Sequence, residues 1–347
     1  MRPRWGCARA LPQARRPARG QPAAALAMLA ALGATNPVRE GAGSALLAAG
    51  AAPPATSSSV PGAGGAGSWT TFTAADGLPE TDVRCVFEDR DGRIWVGTQS
   101  AGVACRRDGG WRTYTTADGL ASNEVIRIAG DSLGGIWVAG GGVSRFDGKT
   151  WTSWTTRDGL PGDLVFSIFT DRDGRLLFAA DGGVCTYDGE AWHTLYSTRD
   201  GLPHPTVHDV FRDRAGRLWC GTRRGLGRFD GTVWATLLPD RDVLRILADR
   251  DGQLWFGTAR HGAISFDGSN WTTFQPRRAL WPEFIDHAGR IWFASDRGGA
   301  FCFDGRDWKN YTSADGLGAN IVAAICEDRA HNLWFATAGG LTRLSPR

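Results

Sequence analysis

The sequence predicts an all-β fold, a seven-bladed β-propeller of four-stranded antiparallel blades, and three observations carry that reading. The stretch Asp89-Arg90-Asp91-Gly92-Arg93-Ile94-Trp95-Val96-Gly97-Thr98 returns six more times, with cores at Ile136-Trp137, Leu176-Leu177, Leu218-Trp219, Leu254-Trp255, Ile291-Trp292 and Leu333-Trp334. A second marker, Trp69, Trp111, Trp151, Trp192, Trp234, Trp271 and Trp308, keeps step with the first at intervals of 37 to 42 residues. Each unit also holds four short apolar runs separated by Gly and Asp, the pattern of strands joined by tight turns and not of helices. A sheet of that size cannot bury both its faces alone, but seven set radially bury them against one another.

In the first unit the runs are Val83 to Glu88, Arg93 to Thr98, Val103 to Arg106 and Trp111 to Thr115. Asp89-Arg90-Asp91-Gly92 suits the turn between the first two, because Asp bonds amides ahead of it and Gly accepts a positive φ. Phe146-Asp147-Gly148, Tyr187-Asp188-Gly189, Phe229-Asp230-Gly231, Phe266-Asp267-Gly268 and Phe303-Asp304-Gly305 do the same between third and fourth runs. Trp on the second run and Trp opening the fourth give each blade two apolar plates, and Leu177 is a smaller one in the third unit.

Ring closure is expected from the two ends of the repeat region. The last unit stops after its third run, Gly340 to Leu344, while the region opens with a lone fourth run, Trp69 to Thr73. Joined as one sheet, they complete the seventh blade and hide two strand edges.

The chain before the repeats is different in kind. Residues 1–68 are rich in Ala, Gly, Pro and Arg, with a basic start and a short apolar run from Ala23 to Ala34. That order matches a secretory signal peptide over residues 1–34, followed by a low-complexity linker over 35–68 and a propeller over 69–347. A disordered leader is the alternative, since the basic region is long and Arg15-Arg16 lacks the rest of a twin-arginine pattern. The expected location is periplasmic or extracellular.

Seven of the 39 basic residues and one of the 36 acidic ones lie in those first 68 residues, which leaves 32 against 35 in the repeats. With mixed signs and two lysines there is no track for nucleic acid. The cysteines, Cys7, Cys85, Cys105, Cys185, Cys220, Cys302 and Cys326, show neither Cys-x-x-Cys nor a His at ligand spacing, so neither a zinc centre nor a cofactor is expected. They read as small buried apolar residues, with a disulfide between blades left open. The paired aspartates Asp89-x-Asp91 and Asp171-x-Asp173 lack the further oxygens of a calcium loop.

Five connectors carry Asp-Gly-Leu, at Asp76, Asp118, Asp158, Asp200 and Asp315, while the two around Asp240 and Arg277-Arg278 lack it and are short. Together with Asp-x-x-Gly-x-Leu/Ile-Trp-x-Gly-Thr, a Gly-Leu or Gly-Val, Phe-Asp-Gly and Trp-x-x-Tyr/Phe, this closely resembles the two-component regulator propeller repeat over residues 69 to 347. The resemblance implies an extracytoplasmic ligand-sensing propeller, as in membrane-bound hybrid histidine kinases that often sense glycans, or a stand-alone exported relative. The given chain ends at Arg347 with no membrane helix, kinase core or receiver domain after the repeats, so only the sensing half is expected.

A ligand site is expected at one mouth of the channel. On the innermost run, Val83, Val125, Val165, Val207, Val243, Leu280 and Val322 form a packing column, but Arg127, His208, Asp209 and Arg245 interrupt the two positions after it. The loops between second and third runs add Arg223, Arg224, Arg260, His261 and Arg297 on three consecutive units, a basic arc suited to an anionic or polyhydroxyl ligand. Alternatively these arginines pair with Asp240, Asp242 and Asp296. Fold does not decide function, so three readings stand: a non-catalytic sensor with a small-molecule or oligosaccharide ligand and a histidine kinase or other signalling partner, a propeller enzyme (a lyase or a glycan-cleaving one), or a protein-binding scaffold. No catalytic grouping is read from the sequence: His208 with Asp209, joined by His204, is the one pair in place, and adjacent strand residues face opposite ways.

Overall fold

The computed structural model describes residues 67–346 apart from Asp108 and Pro276. The expected leader, and the expected linker up to residue 66, lie outside the described residues.

Each unit folds as a four-stranded antiparallel sheet. Blade 1 runs through Val83–Glu88, Ile94–Thr98, Val103–Arg107 and Gly110–Tyr114. Blades 2 to 6 repeat the order, opening with Val125–Gly130, Val165–Thr170, Val207–Arg212, Val243–Ala248 and Leu280–Ile285. Blade 7 is composite: Val322–Glu327, Leu333–Thr337 and Gly340–Ser345 are completed by Ser68–Phe72, with Trp69 opposite Leu344 and Phe72 opposite Leu341. Every first strand packs beside the first strands of the blades before and after it, and that of blade 1 packs beside that of blade 7. Blades 5 and 6 are further joined by the pair Thr258 and Leu280.

The repeated Asp has a larger task than the turn alone. In blade 1, Asp89 Oδ1 accepts from the backbone N–H groups of Asp91 and Arg93, both at 2.9 Å, while Oδ2 accepts from Trp95 Nε1 at 2.7 Å. The Trp–Asp bond recurs at Trp137, Trp219, Trp255, Trp292 and Trp334. One carboxylate thus ties the first hairpin to the aromatic plate of the second strand, and all seven second strands are buried along their whole length.

The plates form the seams between blades. Trp95 meets Tyr114 of its own blade and Phe146 and Trp151 of the next at centroid distances of 5.9 to 6.4 Å. Trp137, Trp219, Trp255 and Trp292 build the same cluster with the blade that follows. Trp69 of the borrowed strand stands in the seam of blades 6 and 7, 5.6 Å from Phe335 and 6.0 Å from Tyr311. Each such aromatic pair contributes roughly 0.5–1.5 kcal/mol beyond its buried area.

Five crossovers share one cap. In the first, Thr73 N–H donates to Asp76 Oδ2 at 2.9 Å and Gly77 takes φ +92°, after which Leu78 drops into the core. Four of these caps enclose a 3-10 turn, and the fifth uses Thr312 and Asp315 in the same way. The two short crossovers solve the reversal without glycine: Leu238, Asp240, Gln275 and Arg277 all hold φ between +46° and +68°. Backbone of that kind is costly for residues with a Cβ and gathers at functional surfaces.

Candidate functional site at the crossover mouth

The crossovers and the loops between second and third strands share one face, as the bonds Arg223 N to Thr206 O and Ala259 N to Asp242 O show, at 3.3 and 3.0 Å. That face has an outer rim and an inner floor.

The floor is a network of charges lying inside the ring of first strands. Arg127 of blade 2 reaches Glu283 of blade 6 across the axis, Nη1 to Oε2 at 3.0 Å, and Arg245 of blade 5 lies on the other oxygen at 3.4 Å. Asp209 accepts from Ser167 Oγ at 2.5 Å and from the backbone N–H groups of Val210 and Ile246 at 3.0 and 2.8 Å. Burial, then the Arg127 guanidinium, hold Arg245 below its ordinary pKa. For Arg127 burial acts the same way but is outweighed by Glu283 and Asp209, so its pKa is raised. Two cations and two anions neutralise one another here, as buried charges must.

Glu283 was not among the residues read from the sequence, and the reason is a shift in register. In blades 1 to 5 and 7 the first strand bulges immediately after the Val position, whereas in blade 6 the bulge falls between Pro282 and Phe284. Glu283 thereby turns into the channel, where the expected column placed Trp281-Pro282. A charge standing where the other units have Val86, Ile128, Ile168, Val210, Ile246 and Ile325, next to a proline, was the available signal.

Arg127, Asp209 and Arg245 therefore have partners within the channel, with Arg127 keeping 26% and Arg245 13% of its side chain exposed; unpaired charges there would be too costly to bury. His208 and Asp209 do not act as a pair. The His208 ring meets Phe166 edge-on at 5.1 Å, and its Nε2 comes within 2.9 Å of Asp242 Oδ1 without the alignment of a hydrogen bond. Both atoms are sealed from solvent and have no hydrogen-bond partner.

The rim is different. Arg223, Arg224, Arg260 and Arg297 are exposed, and among the described residues none of the four has an ion-pair partner. The alternative pairing with Asp240, Asp242 and Asp296 is not formed. Beside them, burial and then Arg223 and Arg224 lower the pKa of His204, while burial and then Arg241 and Arg260 lower that of His261. His261 Nδ1 is buried without a partner, and Asp296 is raised by burial against the pull of Arg297 and Arg278. Each of these influences acts between one crossover and the loop beside it.

A cleft of about 470 Å³ opens elsewhere, on the turn face between blades 4 and 5. Its arginines are engaged: Arg212 and Arg214 donate to the carbonyls of Gly216 and Arg250 at 3.0 and 2.8 Å, and Arg217 to Asp213 at 2.7 Å. The mouth, whose guanidiniums are uncommitted, is the better candidate despite its open shape.

The described cysteines are all free, and five of the six are buried. Burial pushes Cys85, Cys185 and Cys302 up to about 12 and Cys105 to about 11, so these thiols stay protonated and inert. Among the described residues no helix is long and apolar enough to cross a membrane.

Seven four-stranded antiparallel blades, each packed beside the next through its first strand, define a β-propeller domain. The family profile described as two component regulator propeller matches residues 77–100, 201–224, 237–260 and 316–339. Those four segments carry the two component regulator propeller repeat, one each in blades 1, 4, 5 and 7. No curated protein matches it. Among solved structures it is similar to the extracellular domain of a hybrid two component system from B. thetaiotaomicron, at 18% identity and TM-score 0.70, covering 80% of this chain and 42% of that one. It thus spans about two fifths of that relative's length. It is also similar to virginiamycin B lyase from Staphylococcus aureus, solved with quinupristin, at 15% identity and TM-score 0.63, covering 81% and 99%. At such identities both likenesses concern the fold.

Proposed function

We propose that this propeller is an exported, non-catalytic ligand-binding sensor whose crossover mouth takes an anionic or polyhydroxyl ligand, an acidic oligosaccharide or a small carboxylate, and that it serves two-component signalling. The observation that carries the reading is the set Arg223, Arg224, Arg260 and Arg297, four exposed guanidiniums on three consecutive blades with no ion-pair partner among the described residues. Guanidinium forks match carboxylates in bidentate fashion, and a concave basic rim concentrates anions before contact. His261, with its buried unpartnered Nδ1, supplies a further polar group beside Arg260. The strained short crossovers frame the same arc, at Asp240 and Arg277.

The test is calorimetric titration and thermal shift with uronic-acid oligosaccharides, neutral oligosaccharides and small organic acids, repeated on Arg224→Ala and Arg260→Ala. Arg245→Ala is unsuitable because that residue belongs to the buried floor. Binding that weakens at least tenfold in each variant, while the melting temperature of the free protein is unchanged, supports the mouth. A ligand that binds both variants as tightly as the parent places the site elsewhere.

A further inference from the structure

We propose that His287, Glu327 and His331 bind a divalent transition-metal ion of the zinc class at the seam between blades 6 and 7, on the face opposite the mouth. The site is independent of the ligand reading above and stands on a break in a repeated pattern.

At several seams an arginine following the turn Asp reaches over to the next blade. Arg172 donates to Arg214 O at 3.2 Å, Arg214 to Arg250 O at 2.8 Å, and Arg250 to the carbonyls of Asp286 and His287, both at 3.0 Å. Arg329 does the same to Arg90 O at 2.6 Å, and its backbone N–H donates to Glu88 at 3.1 Å. In blade 6 this position is His287. Its backbone N–H donates to Glu327 Oε2 at 2.8 Å, and its Nδ1 contacts Oε1 of the same carboxylate. So far this is the arginine clamp with an imidazole in place of the guanidinium.

What a clamp does not need is the second imidazole. The six other turns place Gly at the left-handed position, Gly92, Gly134, Gly174, Gly216, Gly252 and Gly289, and here the residue is His331 with φ +61°. A residue with a Cβ is costly there, and nothing in the hairpin requires it. Its effect is to set His331 Nδ1 3.2 Å from Glu327 Oε1, with the two imidazole rings 4.1 Å apart. Both histidine side chains are about half exposed, at 51% and 53%, while the carboxylate they share is 13% exposed.

The three donor atoms lie within 4.8 Å of one another. A tetrahedral zinc ion with bonds of about 2.0–2.2 Å holds its ligands about 3.4 Å apart, so modest rotation of the exposed rings completes the set. Two imidazoles and one carboxylate favour zinc, nickel or copper over calcium and magnesium, which require more oxygen ligands. Glu327 Oε2 is already oriented by a backbone N–H, the kind of outer support that fixes a metal ligand. The fourth coordination position faces solvent. An ion here would staple blade 6 to the composite blade that carries the borrowed strand.

The experiment uses untagged protein treated with chelator and titrated with Zn²⁺ against a chromophoric indicator, with melting followed in parallel. One ion per chain is expected, raising the melting temperature by roughly 5 °C at a hundredfold excess over Kd, whereas Ca²⁺ gives no shift. His331→Gly restores the turn residue of the other blades, so the metal-free variant melts no lower than the parent. Its zinc affinity should fall about 100-fold or more, since even outer partners of a ligand are worth 10–100-fold; Glu327→Gln should do likewise. Retention of parental affinity in His331→Gly, or no zinc-dependent shift in the parent, overturns the site.

Discussion

The indole nitrogen of Trp219 donates to Oδ2 of Asp213 across 2.8 Å, with both side chains buried. The other oxygen accepts from the backbone N–H groups of Ala215 and Arg217 at 2.9 and 3.0 Å, and Arg217 Nε adds a bond to Oδ2 at 2.7 Å. One carboxylate therefore couples the turn to the plate that packs against the next blade, and it explains why Asp and Trp recur at a spacing of six.

Removing that anchor should be expensive in proportion to what it holds. Asp213→Ala is expected to lose about 3 kcal/mol, because two amides, an indole and a guanidinium are left without their acceptor. Asp171 holds only the amides of Asp173 and Arg175, since Leu177 replaces the tryptophan in blade 3, so Asp171→Ala should lose about 1–2 kcal/mol. Urea unfolding of both variants checks the order.

Glu283 should behave as the keystone of the channel. Glu283→Ala leaves Arg127 and Arg245 together and uncompensated, at a cost of about 3–5 kcal/mol. Pairing it with Arg245→Met should recover part of the loss, and a double-mutant cycle by chemical denaturation measures the coupling. Additive losses would show that the three side chains do not form one unit.

The borrowed strand makes its own prediction. A Cβ on Gly316, at φ +121°, would stand 2.5 Å from Cγ of Trp69, so Gly316→Ala should destabilise by about 2 kcal/mol or more. Trp69→Ala, which empties the seam beside Tyr311 and Phe335, should cost about 3 kcal/mol. Hydrogen exchange should locate the loosened amides in Gly340–Ser345, the strand that Ser68–Phe72 covers; uniform loosening of all blades would count against a local role.

Acid should weaken the fold in two stages. Burial holds His204 and His261 below 6.5, aided by Arg223 and Arg224 at the first and by Arg241 and Arg260 at the second. The unfolded chain then takes up protons first, and stability declines as pH falls from about 6.5 toward the lower folded values. Asp131 and Asp213 are depressed although burial pushes them upward, because the bonds from Arg145 and Trp137, and from Trp219 and Arg217, prevail. Their contribution is complete above about 3.8 and is lost as pH falls through the folded values beneath it. Urea midpoints measured from pH 8 to pH 2 should show both declines, and constancy between pH 7 and pH 5 would contradict the first.

The repeat itself determined the blade count, the four-strand unit and the completion of the last sheet by Trp69 to Phe72, because each depends on local periodicity and on turns that Asp and Gly specify over a few residues. The exposed rim was legible for the same reason: Arg223, Arg224, Arg260 and Arg297 sit in loops whose face follows from strand order alone. Partnership across the ring was decided only by the tertiary structure. Arg127 and Glu283 are 156 residues apart and meet over the axis, and a bulge displaced by two residues, to lie between Pro282 and Phe284, turned an apolar column into an acid. His331 meets Glu327 within its own hairpin, but that His287 meets the same carboxylate depends on how one blade abuts the next. Register and seam geometry are properties of packed sheets, and no spacing within a single unit encodes them.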